Sequence, residues 1–179
     1  MSDTVGSNEG YVIQSVAARR VLAVGRVVLG FVFLWAFLDK TFGLGYSTQP
    51  AKSWLNGGTP AQGFMKGLDP AKPFTGFIQS LGGPVTDFLF QLGMLGLGLA
   101  LILGIGLRVS AVVGTLILGM MYLAEFPLVV GESASSNPLV DYHIIYIFLL
   151  LTVTLTRGGD TWGLGKWWKG LVGKQKWLI

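Results

Sequence analysis

Residues 85–130 decide the fold and read VTDFLFQLGMLGLGLALILGIGLRVSAVVGTLILGMMYLAEFPLVV. The stretch holds two apolar runs, 85–107 and 109–130, and only Arg108 separates them. Each run is long enough for a helix that crosses a bilayer, which takes about 20 residues. We therefore predict two membrane-spanning helices that form a tight hairpin around Arg108.

Two more apolar runs flank this hairpin. The run at 21–38 directly follows Arg19 and Arg20. It is long for the core of a signal peptide and no small-residue cleavage site follows it, so we predict an uncleaved span. The run at 144–156 is short for a span, and a start near Leu139 restores the usual length. The chain then has four predicted spans.

The predicted fold is an all-α integral membrane four-helix bundle with a long extracytoplasmic loop between helices 1 and 2. Hydrophobic residues make up 51% of the 179 residues and charged residues 12%, against about 25% charged in soluble domains. Residues 1–18 form a flexible lead-in and 19–179 a single domain with a basic and aromatic tail. The predicted spans cover about 20–40, 85–107, 109–130 and 139–157.

Composition also limits the chemistry. The chain has no cysteine, which excludes disulfides, cysteine-ligated iron–sulfur clusters and cysteine-containing zinc sites. We predict no metal and no cysteine-bound cofactor. The net charge is +4, but the basic residues lie beside apolar spans, so we expect the lipid bilayer as the partner and no nucleic acid.

Lysine and arginine predict the orientation, because short loops rich in them stay in the cytoplasm. Four spans put both termini on one side of a cell (plasma) membrane, and eight basic residues lie on that side against four on the other. The first set is Arg19, Arg20, Arg108, Arg157, Lys166, Lys169, Lys174 and Lys176, and the second is Lys40, Lys52, Lys66 and Lys72. We therefore predict cytoplasmic termini and an outer loop, 41–84, with short helices on the membrane face.

Ionisable residues are costly inside a membrane, so their positions carry the functional signal. With a rise of about 1.5 Å per residue, Asp39 lies roughly 28 Å from Arg20 and Glu125 roughly 25 Å from Arg108. The outer ends of the helices thus carry Asp39, Lys40, Asp87, Glu125, Asp141 and His143. These groups either converge on an outward-facing pocket or are ordinary charges at helix ends, and the sequence leaves both open.

The site predictions follow from these positions. His143, with an ordinary pKa of about 6.5, either exchanges a proton with a bound quinone or caps the fourth helix. Arg26 lies roughly 9 Å into the inner leaflet. Its guanidinium either turns back to lipid phosphates, turns inward to Thr152 and the fourth helix, or binds quinone or an anion. The candidate catalytic residues are His143, Asp39 and Glu125, and the candidate substrate-binding residues are Lys40, Gly57, Gly58, Thr59, Asp87, Asp141 and Arg26. The two glycines suit a turn whose N–H groups face an anion, although one glycine pair is a weak signal.

Five motifs together resemble the DoxX/DoxD family of small bacterial and archaeal membrane proteins, over roughly residues 20–170. They are WAFLDKTFG at 35–43, WLNGGTP at 54–60, LGIGLR at 103–108, NPLVDYH at 137–143 and GGDTWGLGKWW at 158–168. The resemblance implies a four-helix membrane fold. For the DoxD branch it implies the membrane subunit of a thiosulfate:quinone oxidoreductase, which couples two thiosulfates to tetrathionate and passes two electrons to quinone.

Three functions stay open at this stage. The first is a quinone-linked oxidoreductase subunit with quinone as electron acceptor, whose electrons pass directly or through a second subunit. The second is a noncatalytic membrane anchor or assembly subunit of a redox complex, for which an interfacial tail and small-residue packing suffice. The third is a small-solute or proton carrier, which the lack of an evident pair of broken helices disfavours. The packing stripes are Gly96, Ala100 and Gly104, then Ala111, Thr115 and Gly119. A homo-oligomer is left open.

Overall fold

The computed structural model describes residues 10–127, 137 and 139–179, and in these residues the regular structure is helical. The all-α prediction is confirmed for this part of the chain. The α-helices are α1 (Val16–Phe42), α2 (Pro60–Lys66), α3 (Thr75–Ser80), α4 (Pro84–Leu103), α5 (Leu107–Ala124), α6 (Tyr142–Leu155) and α7 (Gly165–Val172). Short 3-10 helices cover Pro50–Lys52, Trp54–Asn56, Gly158–Asp160 and Lys176–Leu178. Residues 1–9, the first half of the predicted lead-in, lie outside the described residues.

Three helices are long and apolar enough to cross a membrane. They are α1 with 27 residues, α4 with 20 and α5 with 18, and their mean hydropathies are 2.3, 1.8 and 1.8. Their outward faces are apolar, as Val21, Val112 and Leu116 show with exposures of 70%, 63% and 64%. Such a surface suits a lipid environment, because soluble monomers rarely expose large contiguous apolar patches. The chain is therefore a helical membrane protein.

The fourth predicted span is shorter than expected. Helix α6 has 14 residues and begins at Tyr142, so a helix start near Leu139 is wrong. The Asn137 side chain accepts the N–H groups of Leu139 and Val140 at 2.9 and 3.0 Å, which holds these residues in a turn. Asp141 then caps the helix. Polar side chains thus set its start.

Glycine sets the other ends. Helix α4 stops at Leu103 rather than 107, because Gly104 and Gly106 take the left-handed conformation, with φ of 73° and 58°. Helix α1 begins at Val16, earlier than predicted, after Ser15 has capped its first turn. Helix α5 ends at Ala124, short of the predicted 130. The hairpin between α4 and α5 is present as predicted.

The four longest helices surround one core. Helix α1 packs against α4 and α6, and α5 packs against the same two. The core residues are Leu29, Phe33, Met94, Leu97, Leu101, Leu107, Leu118, Leu150 and Val153. Gly98 lets α4 approach α1, because a Cβ there would lie 2.8 Å from the backbone nitrogen of Leu34. Gly96 and Gly119 bring no helices of this chain together, since a Cβ at either position would lie in open space.

The segment between α1 and α4 carries the two short helices predicted there. Helices α2 and α3 pack on each other, and they also contact α4 and α5, respectively. At its base, Gly58 passes so close to Lys52 that a Cβ would lie 2.0 Å from the Lys52 carbonyl oxygen. Only glycine fits at that position. This segment therefore packs against α1, α4 and α5.

Candidate functional site

Asp39 holds the start of the segment between α1 and α4 against the end of α1. Its carboxylate is 1% exposed and accepts the N–H groups of Tyr46 and Ser47 at 3.2 and 3.0 Å and the Ser47 hydroxyl at 2.6 Å. Lys40 Nζ donates to the same hydroxyl oxygen at 3.2 Å. Buried carboxylates need such donors, and here the protein supplies them. Asp39 and Lys40 thus hold the loop, which accounts for both charges without a substrate.

Asp87 does the same for α2. Its carboxylate, 3% exposed, accepts the N–H groups of Ala61 and Gln62 at 2.8 and 3.2 Å and also the Gln62 side-chain amide. A carboxylate at the first turn satisfies donors that the helix leaves open and interacts favourably with the helix dipole. The first turn of α2 therefore does bind an anion, but the anion belongs to the protein.

The glycine turn before α2 is occupied in the same way. The N–H groups of Gly57 and Gly58 donate to the carbonyl oxygens of Trp54 and Ser53 at 3.1 and 2.9 Å. Thr59 precedes the helix and its side chain makes no capping hydrogen bond. The amides that the sequence assigned to a substrate anion are thus engaged by the backbone. The turn shapes the loop.

One buried polar pair escaped the sequence analysis. Gln91 lies one turn after Asp87 on α4, is 1% exposed, and donates through Nε2 to the Thr41 hydroxyl at 3.1 Å. Its Oε1 has no hydrogen-bond partner among the described residues. The position of a glutamine inside an apolar run could have indicated this contact, because a buried amide is costly unless it is hydrogen-bonded. The pair joins α1 to α4.

Glu125, Asp141 and His143 lie together at the ends of α5 and α6. The imidazole is 3% exposed, and its Nδ1 lies 2.7 Å from Asp141 Oδ2. Asp141 Oδ1 accepts the N–H groups of His143 and Ile144 at 3.0 and 3.2 Å. The Tyr142 hydroxyl donates to Glu125 Oε2 at 3.2 Å, and the Tyr142 and His143 rings stack at 4.1 Å between centroids. We call these four side chains, Glu125, Asp141, Tyr142 and His143, the histidine cluster.

Asp141 fixes the proton position on the imidazole. An ionised carboxylate only accepts hydrogen bonds, so Nδ1 carries a proton toward Asp141. Nε2 has no hydrogen-bond partner among residues 10–127, 137 and 139–179. It is therefore the nitrogen that can give or take a proton. The helix cap is Asp141, so the alternative that His143 itself caps α6 is wrong.

The structure places the predicted outer-end groups in separate clusters. Within the described residues, no hydrogen bond or ion pair joins Asp39, Lys40 or Asp87 to the histidine cluster. The candidate ligand atoms of Glu125, Asp141 and His143 lie within 4.8 Å of one another, a spacing that a divalent cation can bridge. The Asp141 oxygens and Nδ1 already pair with protein groups, so the geometry is that of a hydrogen-bonded acid–base group. The prediction that no metal binds stays a prediction.

Arg26 turns inward, but not to the helix that we expected. Its guanidinium is fully buried and donates to carbonyl oxygens at the end of α4, Leu101 and Ile102 (2.8 Å for the latter), and to Trp162 O at 2.9 Å. The proposed contact with Thr152 is wrong, because that hydroxyl donates to Phe148 O at 2.7 Å. Arg26 therefore caps α4 and ties it to the tail.

Comparison of the chain with protein-family models, with curated proteins and with solved structures finds no match. Of the ten predicted site residues, only Glu125, Asp141 and His143 lie in one cluster whose hydrogen bonds leave a proton-transfer atom unpaired.

Proposed function

We propose that the chain is the membrane subunit of a quinone-linked oxidoreductase of the DoxX/DoxD type, in which His143 exchanges a proton with quinone. One observation carries the proposal: a buried imidazole whose Nδ1 lies 2.7 Å from Asp141 and whose Nε2 has no partner in the described residues. A carboxylate behind an imidazole fixes its orientation and stabilises its protonated form.

Reduction of a quinone to quinol takes two electrons and two protons, of which His143 supplies one and water at the membrane surface the other. A protonated His143 donates the Nε2 proton to a quinone oxygen, and the negative charge of Asp141 stabilises the cation before the transfer. The Tyr142–Glu125 pair lies beside it, and Glu125 Oε2 accepts the Tyr142 hydroxyl proton. These residue types fit a quinone headgroup, which offers two carbonyl oxygens and an aromatic face.

The surroundings of the histidine cluster suit a ligand that arrives through lipid. Leu139, Tyr142 and Ile145 are 60%, 50% and 57% exposed around the buried imidazole. A quinone with an isoprenoid tail moves within the bilayer and reaches such a surface from the side. With α6 as a fourth, short span and both termini in the cytoplasm, the cluster lies at the outer membrane surface.

The electrons have to come from outside the chain. Oxidation of two thiosulfates to one tetrathionate releases the two electrons that quinone accepts. The chain has no cysteine for an iron–sulfur cluster and a single histidine, so a second subunit is the proposed carrier between donor and quinone.

Substitution of His143 tests this function. In membranes that contain the full chain and its partner subunit, we expect His143→Gln to lower thiosulfate-dependent quinone reduction by about 100-fold or more. Asp141→Asn keeps the cap, since asparagine caps helices as well as aspartate, and we expect a smaller loss through the weakened imidazolium. Thr152→Val, on the exposed side of α6, is the control. Full activity of His143→Gln would refute the proposed role.

A noncatalytic membrane anchor is the second candidate. It is favoured because Asp39, Asp87 and Arg26 all have structural partners and none is free for a substrate. An anchor predicts that a partner enzyme co-purifies with the double variant His143→Gln, Glu125→Gln and keeps the wild-type turnover. Loss of turnover with retention of the partner excludes it.

A further inference from the structure

A cavity of about 300 Å³ lies at the end of the helices opposite the histidine cluster. Helix α5 begins beside it and α6 ends beside it, and the segment after α6 closes it. Its wall includes Arg108, Arg157, Asp160 and Lys169. We call this space the basic cavity. Neither the fold of the core nor the proposed redox chemistry uses it.

The charged groups of the basic cavity differ in their partners. Arg108, Arg157, Asp160 and Lys169 line it together with Ile179, whose backbone oxygen accepts the Arg108 N–H at 3.2 Å. Asp160 forms an ion pair with Lys169. The Arg157 guanidinium, in contrast, makes no hydrogen bond or ion pair within the part of the chain that the structure describes. Arg157, an exposed side chain, thus presents to the cavity a positive charge that has no partner among the described residues.

The backbone at Arg157 strengthens this point. Its φ is 53°, in the left-handed region that favours glycine, and the next two residues are Gly158 and Gly159. A side chain there costs free energy that glycine would not, and such strain persists at sites where the side chain has a use. The chain places an arginine at the strained position, with glycines directly after it.

Exposed apolar side chains border the cavity. Leu155, which lines it, is 75% exposed at the end of α6. Trp168 also lines it, and Trp167 and Leu171 on the same helix α7 are 60% and 64% exposed. Tryptophan beside lysine is typical of the membrane–water interface. A ligand with an anionic head and apolar chains fits these surroundings.

We propose that the basic cavity binds the phosphate of an anionic phospholipid, with Arg157 as its main contact and the acyl chains beside Leu155. Arginine binds phosphate oxygens with two parallel hydrogen bonds, and basic pockets between membrane helices bind lipid headgroups. Inorganic phosphate shares this chemistry, so the test has to separate the two sources. The proposal is independent of the redox function.

The experiment measures lipid binding to the full chain in detergent. Native mass spectrometry gives the apparent Kd for phosphatidylglycerol and for phosphatidylcholine, and tryptophan fluorescence gives the shift in Tm on adding each lipid or inorganic phosphate. We expect the wild type to prefer phosphatidylglycerol about tenfold. Arg157→Gln should weaken that binding about fivefold, the effect of one basic residue at a membrane surface. Lys174→Gln, an exposed charge outside the cavity wall, should keep wild-type binding.

Arg157→Gly separates binding from folding. Because glycine fits the left-handed position, we expect this variant to keep or raise the Tm of the lipid-free protein while it loses the lipid preference. Equal phosphatidylglycerol binding by wild type and Arg157→Gln overturns the proposal, as does an equal loss in Lys174→Gln. Stabilisation by inorganic phosphate as strong as that by phosphatidylglycerol overturns the lipid as the ligand.

Discussion

Replacement of Arg26 by methionine should strongly destabilise the protein. The guanidinium is fully buried and donates to four carbonyl oxygens, those of Leu101, Ile102, Thr161 and Trp162. A hydrogen bond to a charged group contributes about 1.5–3 kcal/mol, whereas burial of the cation and its unpaired Nε oppose that gain. We expect a net loss of about 3 kcal/mol, which is more than 100-fold in the folded-to-unfolded ratio.

The assay is a denaturant titration of the full chain in detergent, followed by tryptophan fluorescence, with Trp162 itself beside the site. Arg26→Lys should lose about half as much stability. Its ammonium keeps the charge but lacks the planar guanidinium that reaches α4 and the tail at the same time. Arg20→Met is the matched control, since Arg20 is exposed six residues earlier on α1. A loss below about 1 kcal/mol for Arg26→Met, or an equal loss for Arg20→Met, refutes the reasoning.

Two further predictions concern packing and the loop. Gly98→Ala should lower stability by about 1–3 kcal/mol, because its Cβ would lie 2.8 Å from the Leu34 backbone. Gly96→Ala places its Cβ in open space and should be neutral or stabilising. Tm measurements on both variants check this. Asp87→Ala should cost about 1–2 kcal/mol and speed proteolysis near Ala61, because the cap of α2 is lost, and Asp87→Asn should restore part of the protection. Unchanged proteolysis in Asp87→Ala would contradict the capping role.

Three of the long helices were predictable because a bilayer imposes a length and an apolar composition that three runs of the sequence display. The helix ends were not, because they depend on single residues: Gly104 stops α4 early, and Asn137 delays α6. The contacts of the candidate site were likewise predictable where they are local and not where they are long-range. The Asp141–His143 contact is local and follows from a helix cap, while the partner of Asp87 lies 26 residues away in a loop.

The sequence left several partners open for Arg26, and the one with Thr152 is wrong. A charge within an apolar run correctly predicts partners inside the protein, because the interior of a membrane offers none. Which carbonyls serve depends on where α4 ends and on how the tail folds back, and both follow from glycines after the apolar runs. Such three-dimensional coincidences have no signature in a single sequence.

The contacts of Arg26 set an order on biogenesis. Helix α1 leaves the ribosome first and carries the charge into the membrane, yet its acceptors follow 75 and 136 residues later. An arginine in the middle of an isolated inserting helix costs about 2.5–3.5 kcal/mol, so α1 remains only weakly committed to the bilayer while it is alone. Insertion of α4 supplies the first acceptors, and the segment after α6 completes the set. A chain truncated before Trp162 should therefore be a preferred substrate for membrane quality control.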